Sequence, residues 1–157
     1  MARHSQVDWA PRSRPDINAR RHLPQLVSEY FAEARDLLQE VSTPEGLHRL
    51  RLISKRLRYT LELFRPCYPP ALEERIAALK SVQELLGDIN DAVVTAHLIE
   101  EMTGSARMKA YLEDLAARKA DEFRTEWRNR FDAPGSESWW IDFLSSTAPA
   151  RKLIADS

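Results

Sequence analysis

The sequence predicts an all-α protein, an antiparallel helical bundle of four to five main helices plus a short C-terminal helix. Three observations carry this. Apolar residues recur at spacings of three and four through most of the chain, the pattern of helices that bury one face. Only 4 of the 157 residues are glycine, too few for a sheet rich in turns. Prolines and capping residues gather near the ends of the periodic stretches, where helices start and stop. With 157 residues, 43% of them apolar, the chain is the size of one domain and can bury a core without cross-links. Its single cysteine, Cys67, can close no internal disulfide, and no Cys/His cluster has zinc spacing.

Residues 1–15 hold Pro11 and Pro15 and no periodicity, and are expected to form a flexible arm that Trp9 pins down; residues 16–157 form the single helical domain. A first helix is expected from Asp16 or Ile17, carrying Leu26, Val27, Tyr30, Phe31, Ala34, Leu37, Leu38 and Val41. Pro24 should lie near its start, since proline breaks a helix interior. Ser42-Thr43-Pro44-Glu45 begins the second helix: Ser42 or Thr43 can cap it, Pro44 suits the first turn, and Glu45 completes a capping box. Pro66, Pro69 and Pro70 stop it near Arg65. A third helix is expected from Ala71 to Leu86, ended by Gly87. Asp88 or Asn90 caps a fourth that reaches Met102, with Ile89, Val93, Val94, Ala96, His97 and Leu98 as inner candidates. After Gly104-Ser105 a long helix runs to about Phe131 through Met108, Tyr111, Leu112, Leu115, Ala116, Phe123 and Trp127. Trp139, Trp140, Ile141, Phe143 and Leu144 then make an aromatic cluster, either a short helix packed on the bundle or part of an interface.

The second of these helices organises the chain. From Gly46 to Arg65, six of twenty residues are Lys or Arg and only Glu62 opposes them. At about 100° per residue, His48, Arg51, Lys55, Arg58 and Glu62 fall within an arc of roughly 80°. Leu50, Leu57, Leu61 and Phe64 lie to one side of that stripe and Leu52, Tyr59 and Leu63 to the other, leaving Arg49, Arg56, Ile53 and Thr60 on an exposed back. An ordinary surface helix sets its charges opposite its apolar stripe; here they run between two. Cations gathered in a partly dry place repel one another and lose hydration, and an anion relieves both costs. The other reading keeps the cations solvated by snorkelling past the core, or pairs them with Glu62, Glu84 or Asp91. The net charge of −1 conceals the imbalance: residues 66–102 hold Arg75 and Lys80 against seven carboxylates. A local field governs docking at one patch.

Nucleotide-loop, dinucleotide and hydrolase-elbow motifs are absent. The four histidines never occur at metal-ligand spacing; His48, His97, Asp88 and Asp91 can be drawn together as a metal centre, but such sets arise by accident, and no metal or cofactor is expected. No run approaches the ~20 apolar residues that span a bilayer, and the N-terminus has no apolar signal core. A cytoplasmic protein with no membrane partner is expected.

Two motifs in order and separation, H-x-x-R-x-x-x-[KR]-x-x-R-Y at His48 to Tyr59 and L-K-x-x-Q-x-x-L-G-x-x-N-D at Leu79 to Asp91, resemble the CHAD family, named for a histidine in an all-α domain. The resemblance, over roughly residues 20–130, implies a helical scaffold that binds inorganic polyphosphate through basic residues lining a channel, without catalysis. Carried over, it makes His48, Arg51, Lys55 and Arg58 phosphate contacts, joined by Lys80. Proteins similar to this one often carry two copies of a four-helix unit and are strongly basic, whereas this chain shows one half-length copy and is nearly neutral; a two-lobed channel then needs a second chain, and a homodimer is expected. Two other classes compete. An enzyme acting on phosphate esters or triphosphate is disfavoured because no carboxylate pair stands near the stripe. A scaffold docking an acidic protein or nucleic acid remains, with nucleic acid disfavoured because the stripe lacks exposed aromatics interleaved for base stacking.

Overall fold

Thr43 sets the start of the basic helix: its hydroxyl accepts the Gly46 N–H at 3.0 Å, and Pro44 occupies the first helical position. The computed structural model describes residues 7–39 and 43–146. Among them are five α-helices and no strand: α1 (Pro15–Gln39), α2 (Pro44–Leu63), α3 (Leu72–Thr103), α4 (Ala106–Arg130) and α5 (Ser136–Ser145), with a 3-10 turn at Arg65–Cys67 between α2 and α3. Because Thr43 is the cap, Glu45 is the second helical residue rather than the third, and the capping box expected from Ser42 is not its partner; Ser42 and Val41 lie outside the described residues. Ser105 caps α4 by accepting the Met108 N–H at 3.3 Å. Gly104, at φ 61, ends α3 in the left-handed region that suits glycine.

Two expected breaks do not occur. Gly87 does not end a helix, nor does Asp88 or Asn90 begin one, because α3 runs unbroken for 32 residues. Its buried positions Val82, Leu86, Ile89, Ala92 and Ala96 keep the helical phase across Gly87, so burial outweighs the ~1 kcal/mol that an interior glycine costs. Pro24 is likewise interior, since α1 begins at Pro15. The lost backbone bond, worth about 3 kcal/mol with the attendant clash, is offset by Leu23 and Val27, both fully buried.

Short links make neighbouring helices antiparallel, and side-chain pairs fix their register. Tyr30 on α1 shares a 2.7 Å hydrogen bond with Ser54 on α2, and Arg49 donates to Glu33 at 2.8 Å. Ser81 on α3 donates to Glu126 on α4 at 3.1 Å, and Lys109 pairs with Glu100 at 2.8 Å. One core joins residues from Ala19 to Leu144. Within it Phe31, Trp127, Phe131 and Trp140 pack together, with the Trp127 and Phe131 rings stacked 4.5 Å apart. The C-terminal aromatics are the packed short helix, not a free surface: α5 lies along α1, Trp140 and Leu144 are buried, Tyr68 donates to the Leu144 carbonyl at 2.9 Å, and Arg35 pairs with Glu137 at 2.6 Å. Trp9 stacks on Phe64 at 5.4 Å between centroids and meets His22 edge-on.

At 1.5 Å per residue, α3 is about 48 Å long and α2 about 30 Å. The α3–α4 hairpin therefore outruns its neighbours, and Val94, His97 and Leu98, expected inside, are exposed, as are Met108 and Tyr111 on α4. No helix among the described residues is long and apolar enough to cross a membrane.

Candidate functional site

The face of α2 is set by which side the core takes. Leu47, Leu50, Ile53, Ser54, Leu57 and Leu61 are buried, which centres the core on one half of the helix. Of the residues expected on the exposed back, Ile53 is instead buried and Arg49 pairs with Glu33 of α1. The opposite half shows Leu52, Tyr59 and Leu63, exposed by 40%, 50% and 74%. They were one of the two apolar flanks; the structure makes them a surface strip. The basic stripe sits between that strip and the core, along the crease where α2 meets α3.

All four sequence-predicted residues of α2 are on this crease or at its lip. Arg51 is half-buried against Gly87 of α3: a Cβ there would stand 3.4 Å from the Arg51 Nε and 3.6 Å from Nη2. That spacing is ordinary van der Waals contact, so Arg51 packs on Gly87 without requiring a glycine there. Arg58 is 15% exposed at its side chain, with Glu62 at 3.8 Å, too long for a hydrogen bond. The Nε atoms of both arginines are buried with no protein acceptor. Lys55 and His48 are exposed. On α3, Lys80 lies on the Gly87 side of the helix, two turns back. It is about 10 Å from Gly87, as Arg58 is from Arg51, so it stands level with Arg58 across the antiparallel pair.

Among the described residues, His48, Arg51, Lys55 and Lys80 make no hydrogen bond or ion pair, and the pairing with Glu84 or Asp91 that the sequence left open does not form. Other cations do pair: Arg49 with Glu33, Arg65 with Glu73, Arg118 with Asp114, Arg124 with Asp121 and Arg130 with Glu126. In the crease, His48, Arg51, Lys55 and Lys80 thus have no carboxylate among the described residues and Arg58 has only the 3.8 Å contact to Glu62; Arg75, on the other side of α3, is likewise without an ion pair among them. The crease holds no carboxylate-rich metal set: no group of three or more His, Cys, Asp or Glu among the described residues is placed to hold an ion.

Tyr59 was missed as a participant. Its ring lies beneath both Lys55 (5.7 Å) and Arg58 (4.9 Å), close enough for cation–π attraction. The stripe does carry an exposed aromatic after all, but one ring engaged by its neighbours is not the interleaved series that stacks bases. Arg75 was missed altogether. It is buried on the other side of α3, with its guanidinium carbon 3.1 Å from the Trp139 ring centroid and 3.8 Å from that of Phe143. Burial pulls its pKa down to about 10, with Glu74 opposing the shift.

A family model described as CHAD domain matches residues 2–100 of the chain, which is more than half of it. The chain belongs to the CHAD family. The matched region contains the whole α2 crease and stops within α3, so it ends earlier than the resemblance to residue 130 implied. The CHAD core is completed here by α4 and α5, which supply Phe123, Trp127 and Trp140. Membership agrees with polyphosphate binding in general. No curated protein and no solved structure matches the chain.

Proposed function

We propose that this CHAD protein binds inorganic polyphosphate in the α2–α3 crease, without altering it chemically, through His48, Arg51, Lys55, Arg58 and Lys80. One observation carries the reading: Arg51 and Arg58 present buried Nε donors with no protein acceptor, beside exposed cations that have no carboxylate. A polyphosphate chain offers one negative charge or more per unit, spaced so that successive Arg and Lys side chains can hold it by charge-assisted hydrogen bonds. Titration with long-chain polyphosphate should give tight binding at low salt that weakens steeply as salt rises, because multivalent ion contacts are screened. Affinity indifferent to salt would overturn the reading. Phosphate release from polyphosphate or nucleoside triphosphates, with Mg²⁺ and tracking the protein, would favour the enzyme instead. The reading places the protein in the cytoplasm, where Cys67, a buried free thiol, needs no partner.

The same reading takes the active form to be a homodimer paired along α2. Leu52, Tyr59 and Leu63 form an apolar strip opposite the core, at the lip of the basic crease. An antiparallel two-fold contact would set Leu52 of one copy against Leu63 of the other, a self-complementary arrangement that closes on itself. It would also bring two basic creases to one axis. Sedimentation at micromolar concentration should give the mass of two chains, and Leu52→Glu with Leu63→Glu should return it to one. A wild-type mass of one chain, with and without polyphosphate, would leave a one-sided crease.

A further inference from the structure

We propose that Arg75 anchors a second anion site, separate from the α2 crease, which takes a small organic oxyanion, a carboxylate or a phosphate monoester, on the side-on fork of its guanidinium. Arg75 stands twelve residues before Gly87 in α3, about 120° round the helix, so it points away from α2 and toward α5. It is only 1% exposed. Trp139 and Phe143 cover the guanidinium, and Nη1 donates to the Ala71 carbonyl at 3.2 Å. The two remaining nitrogens, Nε and Nη2, are buried without any acceptor. They are not a random pair. Nε–H and the neighbouring Nη2–H lie parallel on one edge of the planar group, and that edge is the one that receives two oxygens of a carboxylate or phosphate at once.

No carboxylate among the described residues forms an ion pair with Arg75. Stacking on aromatic rings stabilises the cation from its faces but does nothing for N–H groups in its plane, and each such buried donor left unpaired is costly. An oxyanion supplies the acceptors and the counter-charge together.

The surroundings limit its kind. Arg75 opens on a crevice of about 410 Å³ whose walls include Ala77, Ala78, Arg130 and Trp139. That is more room than an inorganic phosphate needs, and the apolar wall suits a flat organic group attached to the anion. Arg130 adds a second cation, its Nε held by Glu126 at 2.9 Å. Glu74, also at the rim, opposes a ligand of high charge, so a polyphosphate chain is disfavoured here. Trp139 is 51% exposed while Trp140 is 2% exposed. Admission of a ligand therefore calls for movement of the half-exposed Trp139 ring over Arg75 rather than of buried Trp140.

The test follows the Arg75 Nε–H resonance of the full-length ¹⁵N-labelled protein during titration with phenyl phosphate, with benzoate, and with sodium chloride at matched ionic strength. A saturable shift with either organic anion and none with chloride is expected, and whichever moves it identifies the oxyanion. Arg75→Lys keeps a cation beneath the rings but removes the fork, and should weaken binding at least tenfold while the helical circular dichroism is retained; Arg130→Ala, at an exposed position, should weaken it a few-fold. A resonance that neither organic anion moves, or that chloride moves equally, overturns the site. Because the first measurement is made on the wild-type protein, a poorly folded variant does not decide the outcome. Polyphosphate binding at α2 can fail without affecting it.

Discussion

Replacing Arg51, Lys55 and Arg58 together by alanine is expected to abolish polyphosphate binding while leaving helicity and the thermal midpoint near their wild-type values. Each charge-assisted hydrogen bond to phosphate is worth about 1.5–3 kcal/mol, so three lost together remove roughly 5–9 kcal/mol, enough to put binding out of reach of an ordinary titration. The fold loses little. Lys55 is exposed, and the one ion pair broken is the 3.8 Å contact between Arg58 and Glu62, of a spacing that contributes about 0.3–0.5 kcal/mol. Two buried donors without acceptors disappear, and so does the mutual repulsion of three cations. The matched control is Arg118, Arg124 and Arg130 on α4, each paired with a carboxylate. Their triple alanine variant changes net charge equally and should keep affinity within a few-fold. Equal losses in both variants would show that only overall charge matters, and unfolding of the α2 variant would show those cations to be structural.

Signals that act within a turn or two were readable in the sequence; signals that act between helices were not. Thr43-Pro44 and Gly104-Ser105 mark helix ends by local chemistry, and both stand where expected. Gly87 misled because glycine followed by Asp88 and Asn90 has the local signature of a stop and a new cap. In the fold it lies mid-helix, where Arg51, thirty-six positions away on α2, packs against it. Val94, Leu98, Met108 and Tyr111 misled differently: periodicity identifies a face, not whether a neighbouring helix is long enough to cover it. The stripe was legible as a stripe because four of its members share one helix. The surface to either side of it was not, since the wheel does not say which apolar flank meets the core. For Arg75, the segment around it resembles any solvated helical turn, and only α5, more than sixty residues on, explains its burial.

The two ends of α4 should respond very differently to truncation of an apolar side chain. Phe123 is 1% exposed and touches Trp127, with ring centroids 6.1 Å apart, at the edge of the cluster that joins α4 to Phe31 and to Trp140 of α5. Phe123→Ala removes a full ring from a region where aromatic neighbours on α1 and α4 cannot collapse into the space, so a cost of about 3–5 kcal/mol is expected. For a chain of this size that corresponds to a fall of roughly 10 °C in the midpoint. Met108 is 51% exposed near the start of the same helix, on the part of the hairpin that outruns α1 and α2. Met108→Ala should cost under about 0.5 kcal/mol, because little is packed against it and alanine favours the helix. Urea unfolding of the two variants measures both. If Met108→Ala proved as costly as Phe123→Ala, the exposed end of the hairpin would have to be covered in solution, and a contact between copies would have to extend beyond α2 to reach it.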